Sequence, residues 1–262
     1  MSVVSYAGFD VGWIEIFLFS VIMVNGIWNT SVGSTGGVAF ATLAATLTPT
    51  VAIPVQSVVE GVSGVYRTWK LRRFVNRGFL LQFAFGGLGG LSGLGGFALG
   101  YGLLPKLSAQ GTTDNVESVM RVIVACFILI ATWVPLGRTV SKRDSAPMLI
   151  GMATTPMSLF VGGLGASIAA SVESRGEDHS MVIATSTAAL VYQYAVRLLV
   201  FGLVGFSLTN YLPLMIALTI ASLLGTWIGQ RLLLKADPQK ARQVFRVVVT
   251  LIAVSMIVRV AI

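Results

Sequence analysis

Charge is the scarcest property of this 262-residue chain. Asp, Glu, Lys and Arg make up 11% of it, against 55% hydrophobic residues, whereas a soluble domain carries about a quarter. So few charges cannot cover a water-facing surface, and a soluble globular protein is excluded. There is a single cysteine, Cys126, and a single histidine, His179. One cysteine excludes an intramolecular disulfide and any cysteine-based metal cluster, and Cys126 reads as a packing residue within an apolar run. His179 sits in a charged stretch and reads as solvated. Such a set of side chains leaves little equipment for catalysis or metal binding, so the chain is not expected to be an enzyme or to need a cofactor. Basic residues are absent before Arg67, so the N-terminal stretch lacks the basic region of a cleavable signal.

Long apolar runs fill the space that charge leaves, and the mean hydropathy is +0.85. A bilayer crossing takes about 20 helical residues. Candidate spans are Gly12 to Trp28, Val38 to Tyr66 with a break at Thr48-Pro49-Thr50, Gly78 to Leu104, and Val119 to Leu136. They continue with Ala146 to Val172, Ser180 to Phe206, Leu212 to Leu234, and Val244 to Ile262. All are expected to be helices, because a lipid-exposed open sheet cannot satisfy its backbone. The expected fold class is an all-α polytopic membrane protein, with residues 1–262 forming a single membrane domain.

The net charge of +8 would suggest nucleic acid for a soluble protein. Here the basic residues fall in short loops between apolar runs, so membrane orientation explains them better and no nucleic-acid partner is expected. The groups Arg67–Arg77, Arg138–Arg143 and Arg231–Arg246 should all be cytoplasmic. The near-neutral loop with Lys106, Asp114 and Glu117 suits the outside. Eight simple crossings cannot satisfy these signs, so one segment between Arg138 and Arg231 should turn back. The Gly-rich cluster Gly162-Gly163-Leu164-Gly165-Ala166 is the natural turning point, and Glu173 to His179 would stay cytoplasmic.

The same event has a counterpart about 130 residues earlier. Gly33-Ser34-Thr35-Gly36-Gly37 aligns with the Gly162 cluster, Pro54-Val55-Gln56-Ser57 with Ala184-Thr185-Ser186-Thr187, and Arg67 with Arg197. The chain therefore reads as two repeats, 1–137 and 146–262. Each repeat is a Gly-tipped re-entrant hairpin plus about three spanning helices. An odd number of crossings per half would make the repeats inverted, with both termini outside, as in many transporters.

Glycine allows the tight turn such a tip needs. A short helix should begin after each tip, from Val38 and from Ser167, with its free N–H groups and positive dipole end near the bilayer centre. That arrangement suits an anion. The competing reading is that the glycines only allow close helix packing, and this is preferred for the run from Gly86 to Gly100. Candidate substrate-binding residues are Asn29, Ser34, Thr35, Gly36, Gly37, Gln56, Ser57, Gly163, Gly165, Thr185 and Ser186. Against this, helical Ser and Thr often bond their own backbone, and Asn25 with Asn29 could join helices instead. Arg67 and Arg197 could attract anions or simply snorkel to the interface. Glu60 is the only acid well inside a span. It could couple proton movement or pair with a neighbouring arginine.

These residues together resemble the TauE/SafE family of membrane permeases, the sulfite exporter family. The resemblance rests on Gly33-Ser34-Thr35-Gly36-Gly37, Pro54 and the Arg67–Arg77 loop in the first half. In the second half it rests on Gly151, Gly162-Gly163-Leu164-Gly165 and Ala184-Thr185-Ser186. It covers nearly the whole chain, although Ser34-Thr35 interrupts the three consecutive glycines often found in the family. The resemblance implies export of sulfite or an organosulfonate; the residues alone imply a small anion. The expected function is a secondary transporter working by alternating access in a bacterial inner membrane, with the lipid bilayer and a second copy of the chain as partners. An anion channel with a fixed glycine constriction is the alternative, followed by a membrane enzyme or assembly factor.

Overall fold

A computed structural model describes residues 12–32, 36–95, 145–159, 162, 164–203, 205–232, 247 and 250–251. The expected spans at 119–136 and, but for three residues, 244–262 lie outside the described residues, as do Ser34, Thr35, Gly163 and the Arg138–Arg143 loop. The described elements are helical throughout: α1 (Trp13–Val32), α2 (Gly36–Thr46), α3 (Pro49–Lys70), α4 (Arg77–Gly90), α5 (Ala146–Ser158), α6 (Gly165–Glu173), α7 (His179–Leu203) and α8 (Leu212–Leu232). Short 3-10 turns occupy Arg72–Phe74 and Thr209–Tyr211, and α4 runs on into a π-helical turn at Leu91–Gly95.

Local sequence sets several of these boundaries. Thr48 is extended, as a residue before proline prefers, and Pro49 opens α3. Pro54 lies inside α3, where it removes one backbone N–H from the helical ladder. In α5, Pro147 falls in the first turn, and Pro156 stands just before the helix ends at Ser158. The short helices expected from Val38 and Ser167 begin two residues earlier, at Gly36 and Gly165, so a glycine of each cluster is already helical.

The helix α7 and the stretch Thr209–Arg231 are long and apolar enough to cross a membrane. At 1.5 Å per residue, the 20 residues of α1 also reach about 30 Å, whereas the 11 residues of α2 cover only about 16 Å. Leu199, Phe85 and Leu203 are among many large apolar side chains left exposed, as a lipid-facing surface requires.

Two glycine-lined seams hold the bundle together. A Cβ on Gly225 would strike the Met23 carbonyl oxygen, and one on Gly229 would lie 2.7 Å from the Ile27 carbonyl oxygen. These contacts advance together, so α1 and α8 run parallel. In the second seam a Cβ on Gly86 would strike the Met148 carbonyl oxygen, and one on Gly90 that of Met152, so α4 and α5 also run parallel. Gly86 and Gly90 thus serve the close packing expected of that glycine run. The central pair is antiparallel: Gly61 meets Tyr194 and Gly64 meets Val191 across α3 and α7.

Burial follows the same plan. One core takes Ile22 from α1, Phe40 from α2, Val55 from α3 and Leu218 from α8. The other takes Phe83 from α4, Ile150 from α5, Ile168 from α6 and Leu190 from α7. The first core thus joins α1, α2 and α3 to the distant α8, and the second joins α5, α6 and α7 to α4. Asn76 fastens the start of α4 to α7 and to the turn before it, all within the second group. Its backbone N–H donates to Thr185 Oγ1 at 3.0 Å, its side-chain amide donates to Glu177 Oε1 at 2.9 Å, and its side-chain oxygen accepts from the Phe79 N–H at 3.0 Å. The connections at 71–76 and 174–178 thus share one end of the bundle. The α5–α6 hairpin opens toward that end, and the α1–α2 hairpin opens toward the opposite one.

Candidate functional site

The centre of the bundle is lined by buried polar side chains on α1, α3, α5 and α7. Glu60, Arg67, Gln56, Gln193 and Arg197 are each at most 2% exposed. Ionisable groups at membrane depth are costly and need partners, and the partners fall into two groups.

The first group lies between α1 and α3. Asn25 and Asn29 stand one turn apart on α1, so they share a face. Asn25 Nδ2 donates to Glu60 Oε1 at 2.8 Å, and Asn29 Nδ2 donates to Glu60 Oε2 at 2.9 Å. Arg67 Nη2 lies 3.6 Å from Glu60 Oε2, two turns further along α3. The carboxylate is thus met by two amides and one guanidinium.

The second group lies where α3, α5 and α7 meet. Arg197 Nη1 donates to Gln56 Oε1 at 3.4 Å, and its guanidinium lies over the Tyr194 ring at 5.3 Å. Gln193 Nε2 donates to Thr154 Oγ1 at 3.0 Å. Gly162, from the second glycine cluster, reaches this group: a Cβ there would strike Gln56 Oε1 and the Phe40 ring. The tip between α5 and α6 therefore touches both α2 and α3 of the first half. Gln193 Oε1, Thr155 Oγ1 and Thr187 Oγ1 are buried without a hydrogen-bond partner among the described residues. An arginine, an amide and a glycine tip offer positive charge, polar hydrogens and close backbone approach in one place. No cluster of His, Cys, Asp and Glu suited to a metal ion occurs among the described residues.

The sulfite exporter TauE/SafE family matches residues 18–256. The chain belongs to this family. It is therefore a membrane transport protein of the sulfite exporter class. Neither a curated protein nor a solved structure matches the chain.

Within this TauE/SafE protein, the residues singled out from sequence fall in different places. Gln56 and Arg197 come together beside Gly162. Asn29 and Glu60 come together with Arg67. Interfacial snorkelling does not describe either arginine, since Arg67 and Arg197 are 2% and 1% exposed. Of the two readings of Glu60, the ion pair with a neighbouring arginine is the contact observed. Ser57 and Ser186 donate to the carbonyls of Ile53 and Val182 on their own helices, at 2.7 and 2.6 Å, so the hydroxyl hydrogens that an oxyanion would need are already engaged. Thr185 accepts from Asn76 at the end of the bundle, away from the Arg197 group. Gly36 and Gly165 open α2 and α6, and Gly37 is buried within α2.

Sequence reasoning did not single out Tyr194, Gln193, Thr154 or Phe40. Gln193 and Tyr194 carried a signal: a polar pair four and three residues before Arg197 in an otherwise apolar run. Phe40 carried none, because an apolar residue in an apolar run looks like every other.

Proposed function

We propose that the protein is a secondary transporter that moves sulfite or a small organosulfonate across a bacterial inner membrane by alternating access. The proposed site is formed by Gln56 and Arg197 with the Gly162 tip, and the juxtaposition of these three carries the reading. Guanidinium N–H groups form strong charge-assisted bonds to oxyanions, and glycine lets backbone approach a ligand closely. Supporting an inverted repeat, equivalent helices exchange neighbours: α1 with α8 mirrors α5 with α4, and α3 crosses its counterpart α7. The two hairpins opening toward opposite ends of the bundle support re-entrant segments. In this arrangement the rocking of one half against the other exposes the site to each side in turn. An inside-negative potential favours anion exit by about 2.3 kcal/mol per charge per 100 mV, so the potential alone can drive export.

Counterflow of labelled sulfite in proteoliposomes tests this reading, with thiosulfate, sulfate and small sulfonates as competitors. Saturable exchange that falls in Gln56→Ala and is lost in Arg197→Met supports it. A flux that rises linearly with concentration and shows no counterflow overturns alternating access in favour of a channel. A folded protein that exchanges none of these anions overturns the substrate class.

A further inference from the structure

The group around Glu60 resembles a filled anion site. Two amides from α1 and a guanidinium from α3 converge on its two carboxylate oxygens, at 2.8, 2.9 and 3.6 Å. These are the donor types that hold a free oxyanion, and here the anion happens to be attached to α3. Arg67 also has capacity to spare. A guanidinium carries five N–H donors, yet at 2% exposure its Nε and Nη1 have no hydrogen-bond partner among the described residues. A 3.6 Å approach through Nη2 alone is a loose use of a buried arginine, well short of a bidentate pair.

The other half provides the contrast. At the repeat offset, Arg197 corresponds to Arg67, and Leu190 stands where Glu60 would fall. Arg197 meets the neutral oxygen of Gln56, and the nearby amide of Gln193 meets a threonine hydroxyl. Of two related arginines, one faces an amide and the other a carboxylate.

We infer that Asn25, Asn29 and Arg67 form a second anion site, and that Glu60 is a tethered anion occupying it in this conformation. A free oxyanion takes the site when the Glu60 side chain leaves it. This deepens the transporter reading and rests on the anion site at Arg197. The rise along α3 from Gln56 to Arg67 is about 16 Å, so the two sites form successive stations on one helix. Glu60 keeps the second station filled while substrate occupies the first.

Calorimetric titration of the purified full chain with sulfite, in detergent, tests the inference. The wild-type protein is expected to take up one sulfite, and Glu60→Gln two. Adding Arg67→Met to Glu60→Gln should return the count to one. Adding Arg197→Met to Glu60→Gln should also leave one, now at the Arg67 site. A Glu60→Gln protein that still binds one sulfite with wild-type affinity overturns the inference, as does a second sulfite that survives loss of Arg67. If the wild type binds none, the site at Arg197 fails on its own, while a gain from none to one in Glu60→Gln still supports the second site. Should Glu60→Gln not fold, Glu60→Ala is melted with and without formate. A saturable rise in Tm that Arg67→Met abolishes supports the site, and no rise overturns it.

Discussion

The two halves share a helical plan but fill its polar centre differently. Between α1 and α3 the centre is ionic, with Glu60 held by Asn25, Asn29 and Arg67. Between α5 and α7 the corresponding contact is neutral, Gln193 to Thr154, and Arg197 turns to Gln56 across the halves. The two helix pairs therefore set two different electrostatic problems. A buried ion pair is a poor source of net stability, because desolvation offsets most of the attraction, yet breaking one is severe. The first half is thus sensitive to loss of either charge. The contacts described for Arg197 in the second half are instead to an amide and an aromatic ring.

The largest expected effect would break the likeness of the halves at their seams. Gly225→Leu and Gly86→Leu each push a side chain into the backbone of the partner helix, and both should abolish the monodisperse folded protein in size-exclusion chromatography. If only one does, the seams are not equivalent. Next, Arg67→Met should destabilise by about 3–5 kcal/mol, since it leaves Glu60 buried without its cation, and adding Glu60→Gln should restore much of the loss in thermal melts. Arg197→Met should cost less stability, because the observed partner is an amide, but should remove sulfite exchange. Equal stability losses in the two variants would erase the proposed division of labour. Smaller still, Gly162→Ala should displace Phe40 and Gln56, cost about 1–3 kcal/mol of stability, and reduce exchange about tenfold, equivalent to about 1.4 kcal/mol. The least effect is expected from Ser57→Ala and Ser186→Ala. Each loses one bond to its own helix, worth about 1 kcal/mol, and exchange should stay near the wild-type rate.

Much of this plan was legible in the sequence because its signals are local. Apolar length marked the helices, Pro49 and Pro147 sit where helices begin, and the glycine clusters fell between α1 and α2 and between α5 and α6. The pairing of Glu60 with a nearby arginine was also within reach, since Arg67 lies two helical turns away on the same strip of α3. What could not be read was anything that depends on how distant segments meet. A snorkelling arginine and a buried one look alike in sequence when both lie near the end of an apolar run. Gln56 pairs with Arg197 only because α3 crosses α7 antiparallel, and Ser57 beside it looked equally suited until its hydroxyl was seen to bond Ile53. The exchange of α4 and α8 between cores left no mark either, because a helix reads the same whichever neighbour it packs against.

Asn76 has a mechanical consequence. Its side-chain oxygen caps the start of α4, while its backbone N–H and side-chain amide hold α4 to α7 and to the turn before it, at the end that carries Arg72 and Arg73. In the conformation described, parting α4 from α7 at that end must first release two hydrogen bonds, to Thr185 and Glu177.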